Sequence, residues 1–291
     1  MSTTVYLIRH GERIDHIDPS WSCTASQPYD PPLSPGGIRQ ACRTGSHLAT
    51  WHVTSPIRYI FSSPYTRCIE TAEEILHALT THPNREGKIS TVPYVPAPSS
   101  SFLSKQSAQS PAPPSPSAPI FNIDNRLSEW MSSSYFSHPP YVSAHSSPYA
   151  APPYPESYTQ MASRFTDAFN EIVDLAFRQM LDEKGSIVIV THGAGIKAIL
   201  QNICGHDVEH VGCASITKLS KVGLSGWKVG MVCDESHLGR NPWDRREGYV
   251  AGPSSQASKS TTVWMNDLTS TSTPTSWGHG GFARRTLAML G

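Results

Sequence analysis

Val5-Tyr6-Leu7-Ile8-Arg9-His10-Gly11-Glu12-Arg13 decides how the chain is read. Four apolar residues form a short strand that runs into a basic residue, a histidine and a glycine. An α/β sheet presents an imidazole in this way at the carboxyl edge of a strand, where ligands of such folds bind. The same context returns at Ile187-Val188-Ile189-Val190-Thr191-His192-Gly193. Two strand–His–Gly units in one chain predict a site with two imidazoles side by side.

Working outward, the first strand leads into an irregular stretch, His16 to Pro32. Leu33-Ser34-Pro35-Gly36-Gly37 then opens a helix, with Ser34 as N-cap and Pro35 at the first helical position. Ile38, Ala41, Cys42, Gly45, Leu48 and Ala49 give that helix a buried face. Arg58–Phe61 reads as a strand, and Ser62-Ser63-Pro64 turns into a helix with the stripe Ile69, Ala72, Ile75, Leu76 and Leu79. Ile89 to Val95 reads as a further strand, placed near an edge by its prolines. Met161, Phe165, Ala168, Phe169, Ile172, Val173, Ala176 and Met180 define a long amphipathic helix from about Tyr158 to Leu181, closed by Gly185. A helix over Ile196 to Cys204 and strands at Ile216–Leu219 and Trp227–Val232 complete the pattern. Strands alternating with helices predict an α/β fold, a three-layer α/β/α sandwich around a mainly parallel central sheet.

Two stretches break this alternation. Residues 96–119 are rich in Pro, Ser and Ala and carry one charge, Lys105, so they read as a disordered insertion. Ser132 to Pro155 mixes prolines with Tyr135, Phe136, Tyr141, Tyr149 and Tyr154. Such a segment serves either as a cap over a cleft or as a loose loop. The expected organisation is one domain over residues 1–240, interrupted by both insertions and followed by a polar, low-complexity tail over 241–291.

Composition removes several classes. Among 291 residues, Lys+Arg 23 balances Asp+Glu 23, so no global field draws the chain to nucleic acid or membrane. No apolar run approaches the roughly 18 residues that a bilayer span needs. Met1-Ser2-Thr3-Thr4 leads straight into the first strand, which predicts no secretory signal and a cytoplasmic protein, with the nucleus as the alternative. Cys23, Cys42, Cys68, Cys204, Cys213 and Cys233 lack zinc-site spacing and read as free thiols.

Chemistry concentrates in four segments: Arg9-His10-Gly11-Glu12-Arg13, Ser62-Ser63-Pro64-Tyr65-Thr66-Arg67, Arg126-Leu127-Ser128-Glu129-Trp130 and Thr191-His192-Gly193. They supply two histidines, several arginines and a glutamate, with neither a lysine–glycine phosphate loop nor an acidic metal cluster. Phosphoryl transfer without metal or cofactor needs these residue types: an imidazole to accept the group, guanidinium forks for its oxygens and an acid for the leaving oxygen.

In family order and spacing, these segments resemble the histidine phosphatase superfamily in its phosphoglycerate-mutase-like branch. Asp30-Pro31-Pro32-Leu33-Ser34-Pro35-Gly36-Gly37 matches that family's run before its first helix, and the resemblance spans about residues 4–235 apart from the insertions. It implies that His10 is the nucleophile and that Arg9, Arg67 and His192 bind phosphoryl oxygens. Glu129 stands where the family places its proton donor. To act as an acid Glu129 must be protonated, so burial has to outweigh the arginines. Those arginines should hold His10 below its ordinary value of about 6.5. The helix start at Arg67 should favour an anion through its N–H groups and dipole. Gly11 and Gly193 should allow close backbone approach or positive φ.

The chain also departs from the mutase pattern. Mutases of this family usually follow RHGE with a small or amide residue and then Asn, whereas Arg13-Ile14-Asp15 stands here. Arg13 is similar to the branch containing steroid-phosphate phosphatases and their tyrosine-phosphatase-like relatives, and would add a guanidinium at the pocket wall. The resulting expectation is a phosphomonoester phosphatase acting on a phosphorylated small molecule or a phosphoprotein. The alternative is an interaction subunit resembling fungal transcription-complex subunits of this family, motivated by the insertions and tail. Phosphoglycerate mutase ranks behind both.

Overall fold

The computed structural model describes residues 3–81, 118–140, 147–180, 185–223 and 226–239. The strand expected at 89–95, the insertion 96–119 apart from its last two residues, Tyr141 and the tail 241–291 lie outside the described residues. Those that are described all belong to one compact unit.

Its sheet has six strands: β1 (Thr4–Arg9), β2 (Ile57–Ser62), β3 (Ile120–Ile123), β4 (Ser186–Thr191), β5 (Ile216–Val222) and β6 (Gly226–Asp234). They lie in the order β3-β2-β4-β1-β5-β6. The first four run parallel, while β5 pairs antiparallel with β1 and with β6. The mainly parallel sheet expected from the alternation is therefore the one observed. Every residue of β4 is buried, as befits a central parallel strand covered on both faces.

Side chains of alternate residues go to opposite faces and meet different helices. Tyr6, Ile8, Ile60, Val188 and Val190 pack with α2 (Pro35–His52) and α3 (Thr66–Thr81). Val5, Leu7, Phe61, Ile187 and Ile189 pack with α4 (Tyr158–Gln179) and α5 (Gly193–Cys204). Each large apolar side chain buried this way contributes about 1.5–3 kcal/mol before chain entropy is counted. A four-residue helix, α1 (Trp21–Thr24), lies in the irregular stretch after β1.

Local signals set the helix starts. Ser34 caps α2 by accepting from Gly37 N at 2.9 Å, with Pro35 following it. Ser157 and Gln160 form a reciprocal capping box on α4. That helix closes at Gln179, short of Leu181 and Gly185. Within the aromatic insertion, Phe136 is buried and Tyr135 and Tyr154 pack beside it. The Tyr154 hydroxyl donates to Phe136 O at 2.6 Å, and Tyr149 lies under the Arg126 guanidinium.

Strand register brings the chemistry together. Arg9 pairs with Thr191, Ser62 with Val190 and with Ile123. Each strand's next residue extends the ladder: His10 N donates to Thr191 O at 3.0 Å, Ser63 N to Val190 O at 3.0 Å and Asp124 N to Ser62 O at 2.9 Å. His10, Ser63, His192 and the turn leading to Glu129 thus emerge on one sheet edge. After β1 the chain crosses to the α2 face and after β4 to the α5 face, so His10 and His192 flank the crevice where α/β folds bind ligands.

Candidate active site

His10 is 1 % exposed, and its Nδ1 lies 2.8 Å from Gly11 O. A carbonyl only accepts, so this contact places the hydrogen on Nδ1 and leaves Nε2 with a bare lone pair. The imidazole is held well below its ordinary pKa, first by burial and then by Arg67, Arg9 and His192. Sequence reasoning named the arginines, but burial is the larger cause. His10 is neutral at physiological pH.

The glycine beside it is required by packing rather than by backbone freedom. A Cβ at Gly11 would lie 2.6 Å from Gly37 O, so β1 and the start of α2 approach only because both residues lack one. At Gly193 a Cβ would meet nothing nearer than Arg9 Nε at 3.6 Å. Neither glycine has a positive φ, which corrects that part of the expectation.

Arg67 is 1 % exposed in the first turn of α3, with its guanidinium 4.5 Å from the centre of the Tyr65 ring. The helix start does not wait for an external anion. Asp30 supplies one, accepting from Thr66 N at 2.8 Å and from its hydroxyl at 2.7 Å, and standing 3.8 Å from Arg67 Nη1. Arg9 Nη1 donates to Val211 O. At the site, Arg9 Nε, Arg67 Nε and Arg67 Nη1 are buried guanidinium nitrogens with no hydrogen-bond partner among the described residues. Buried donors of this kind are costly unless something accepts from them, and a group with several anionic oxygens suits them.

Glu129 is the main electrostatic correction. Its Oε2 lies 3.2 Å from His192 Nδ1 and 3.4 Å from Arg67 Nη2, and its Oε1 accepts from Trp130 N at 3.1 Å. Burial pushes this carboxyl up, but the contacts with His192, Arg67 and the Trp130 N–H more than offset it and hold the group below the usual carboxylate range. In the free protein Glu129 is ionised, not protonated as the acid role alone suggested. His192 is fully buried. Burial pulls it down to about 4, against Glu129 and with help from Arg67, so it is neutral. Both of its nitrogens are engaged, Nε2 by the Ser63 hydroxyl at 2.8 Å.

The remaining expected residue, Arg13, is occupied by a two-pronged contact with Asp15, at 2.9 and 2.7 Å. Arg67 and Glu129 act on its charge, so it stands beside the cluster. One donor atom from each of His10, Glu129 and His192 lies within 4.8 Å of the others, close enough for one metal ion. Arg67 Nη2, however, is 3.3 Å from His192 Nδ1 and already brings a positive charge to these donors.

Three contributors escaped sequence reasoning. Asp30 sits in the irregular stretch, and Ser63 lies inside a quoted motif without a role. Arg164 of α4 clamps the segment carrying Glu129 by donating to Arg126 O at 2.6 Å, Ser128 O at 3.0 Å and Glu129 O at 3.3 Å, while Glu156 accepts from it. An acidic residue before a proline pair and an arginine on the polar side of an amphipathic helix carry no local signal of these contacts.

Solved structures of similar fold include a mycobacterial hydrolase, 18% identical, with TM-score 0.50, covering 79% of this chain and 98% of its own. A phosphoglycerate mutase from Bacillus anthracis is 17% identical, with TM-score 0.49 and coverage of 81% and 95%. A mycobacterial glucosyl-3-phosphoglycerate phosphatase in complex with VO3 is 16% identical, with TM-score 0.48 and coverage of 79% and 98%. At 18% identity the likeness to the mycobacterial hydrolase is one of fold alone. No curated protein sequence matches the chain. The model of the histidine phosphatase superfamily, branch 1, matches residues 5–89 and 129–232, which contain His10, Arg67, Glu129 and His192. The chain belongs to the histidine phosphatase superfamily, branch 1.

Proposed function

We propose that this protein hydrolyses phosphomonoesters without a metal, through a phosphohistidine on His10. One observation carries the reading: a neutral, buried His10 stands among guanidinium donors of Arg9 and Arg67 that have no hydrogen-bond partner among the described residues. In the first step His10 Nε2 attacks phosphorus, an N–P bond forms and the ester P–O bond breaks. Arg9 and Arg67 hold the non-bridging oxygens as charge shifts onto them. The leaving oxygen takes a proton from Glu129. In the second step water attacks phosphorus and gives a proton to Glu129 while the N–P bond breaks, which releases inorganic phosphate and returns the lone pair to His10 Nε2.

Glu129 is a carboxylate before substrate arrives, so the proton must come with binding. A phosphate monoester brings negative charge beside it and draws on Arg67, one of the groups that keep it ionised. Both effects raise its pKa. Hydrolysis rather than phosphoglycerate mutation is favoured by Arg13-Ile14-Asp15, where the Arg13–Asp15 ion pair takes the place of the small and amide residues of mutases.

The test is turnover of p-nitrophenyl phosphate in excess EDTA. Wild type is expected to hydrolyse it and to yield an acid-labile phosphoenzyme on rapid quench. His10→Ala is expected to do neither. Equal activity in the two proteins overturns the mechanism.

A further inference from the structure

Both ring nitrogens of His192 are satisfied, and the partner on the side away from Glu129 has no role in the chemistry above. That partner is Ser63, one residue beyond β2 and fully buried. Its backbone is fixed by the bond from its N–H to Val190 O, and its carbonyl accepts from the Ser62 hydroxyl at 2.9 Å. We propose that Ser63 is a positioning residue whose hydroxyl donates to Nε2 of His192, fixing this imidazole as the Nδ1–H tautomer that faces Glu129.

Hydrogen-bond complementarity supports this direction. Ser63 Oγ accepts a long contact from Tyr65 N at 3.5 Å, which leaves its own hydrogen for the 2.8 Å bond to Nε2. Cys68 Sγ lies 3.6 Å from the same nitrogen, and burial pushes that thiol up to about 12, so it sets no negative charge against the Nε2 lone pair. On the other side, Glu129 Oε2 can only accept, at 3.2 Å from Nδ1. The opposite tautomer would set a lone pair of Nδ1 against that carboxylate. Arg67 Nη2 lies 3.3 Å from Nδ1 and 3.4 Å from Glu129 Oε2, and of the two the charged carboxylate is the stronger acceptor for its hydrogen.

The consequence rests on the phosphatase reading. With its hydrogen on Nδ1, His192 bonds the Glu129 carboxylate while that group is ionised. It can turn the same N–H toward a phosphoryl oxygen once Glu129 has gained its proton. Without Ser63 that hydrogen can move to Nε2, and the donor is then on the wrong side of the ring. Ser63 therefore acts on turnover more than on substrate affinity.

The experiment combines imidazole nitrogen NMR of the full chain, labelled with 15N-histidine, with steady-state kinetics on p-nitrophenyl phosphate. Wild-type His192 is expected to show a protonated Nδ1 and a bare Nε2. Ser63→Ala is expected to show Nε2–H or a mixture, and to lower kcat about three- to tenfold, the worth of one neutral hydrogen bond, while KM changes less than about twofold. Ser63→Thr keeps the hydroxyl and should restore both the tautomer and kcat. An Nε2–H tautomer in wild type overturns the proposal, and so does a Ser63→Ala protein with unchanged tautomer and kcat. The wild-type spectrum decides even if the alanine variant folds poorly. If wild type has no phosphatase activity, the functional reading fails while the spectra still judge Ser63.

Discussion

The two strand–His–Gly ends share one pattern, an apolar strand running into His-Gly, and differ in how their imidazoles are bonded. After β1, His10 spends one nitrogen on the carbonyl of its own neighbour, and the other has no hydrogen-bond partner among the described residues. After β4, His192 has both nitrogens bonded, to Ser63 and to Glu129. Each imidazole is neutral and buried, so neither charge nor exposure separates them. What separates them is the neighbour set delivered by other elements. A local motif can place an imidazole at a sheet edge, but the bonds that hold His192 come from residues distant in the chain, and the roles proposed for the two rings rest on that difference.

The largest expected effect tests this division directly. His10→Ala should abolish acid-labile phosphorylation and reduce kcat on the order of 10⁵-fold or more, as expected for loss of a nucleophile. His192→Ala should still form the phosphoenzyme, with kcat lower by about 10²–10³-fold, the size found for losing one donor to developing charge. Rapid-quench labelling of both variants separates the roles. Loss of the phosphoenzyme in both would make the two ends equivalent and break the comparison.

Glu129 sharpens it further. Glu129→Gln should lower kcat by about 10²–10⁴-fold for an alkyl phosphate, whose leaving oxygen needs a proton. The loss should be much smaller for p-nitrophenyl phosphate, whose leaving group departs as an anion. Because Glu129 and His192 share a hydrogen bond, His192→Ala added to Glu129→Gln should cost less than the product of the single effects. A strictly multiplicative double variant would mean that the two act independently.

Most of the frame was legible because its signals are local. Ser34 with Pro35 marks a helix start, β-branched residues mark β4, and each His–Gly pair sits next to the strand that carries it. Arg67 and Glu129 could be found because the family spacing names them. The ionisation of Glu129 was not legible, since it depends on His192 and Arg67 reaching it across three parallel strands in register. The role of Asp30 was not legible for a related reason. It lies in an irregular stretch, and its function as the cap of α3 exists only once that stretch folds across the helix start. Ser63 was visible in a motif, yet its role depends on a ring donated by β4.

The smallest expected effects concern the glycines that follow the two histidines. Gly11→Ala forces a methyl to within 2.6 Å of a carbonyl oxygen, with backbone on both sides of the contact. Overpacking of this kind costs about 1–3 kcal/mol, and thermal unfolding should show it as a Tm lower by several degrees. Gly193→Ala meets ordinary contacts, and alanine is the better helix former, so stability should hold or rise by at most about 1 kcal/mol. Its effect should instead be functional. The new methyl would sit 3.6 Å from Arg9 Nε, a nitrogen that needs an acceptor, and partial shielding of that donor should raise KM several-fold with little change in Tm. If Gly193→Ala instead unfolds as early as Gly11→Ala with unaltered KM, the glycine after His192 serves the fold as the one after His10 does. The difference between the two ends would then reside in the histidines alone.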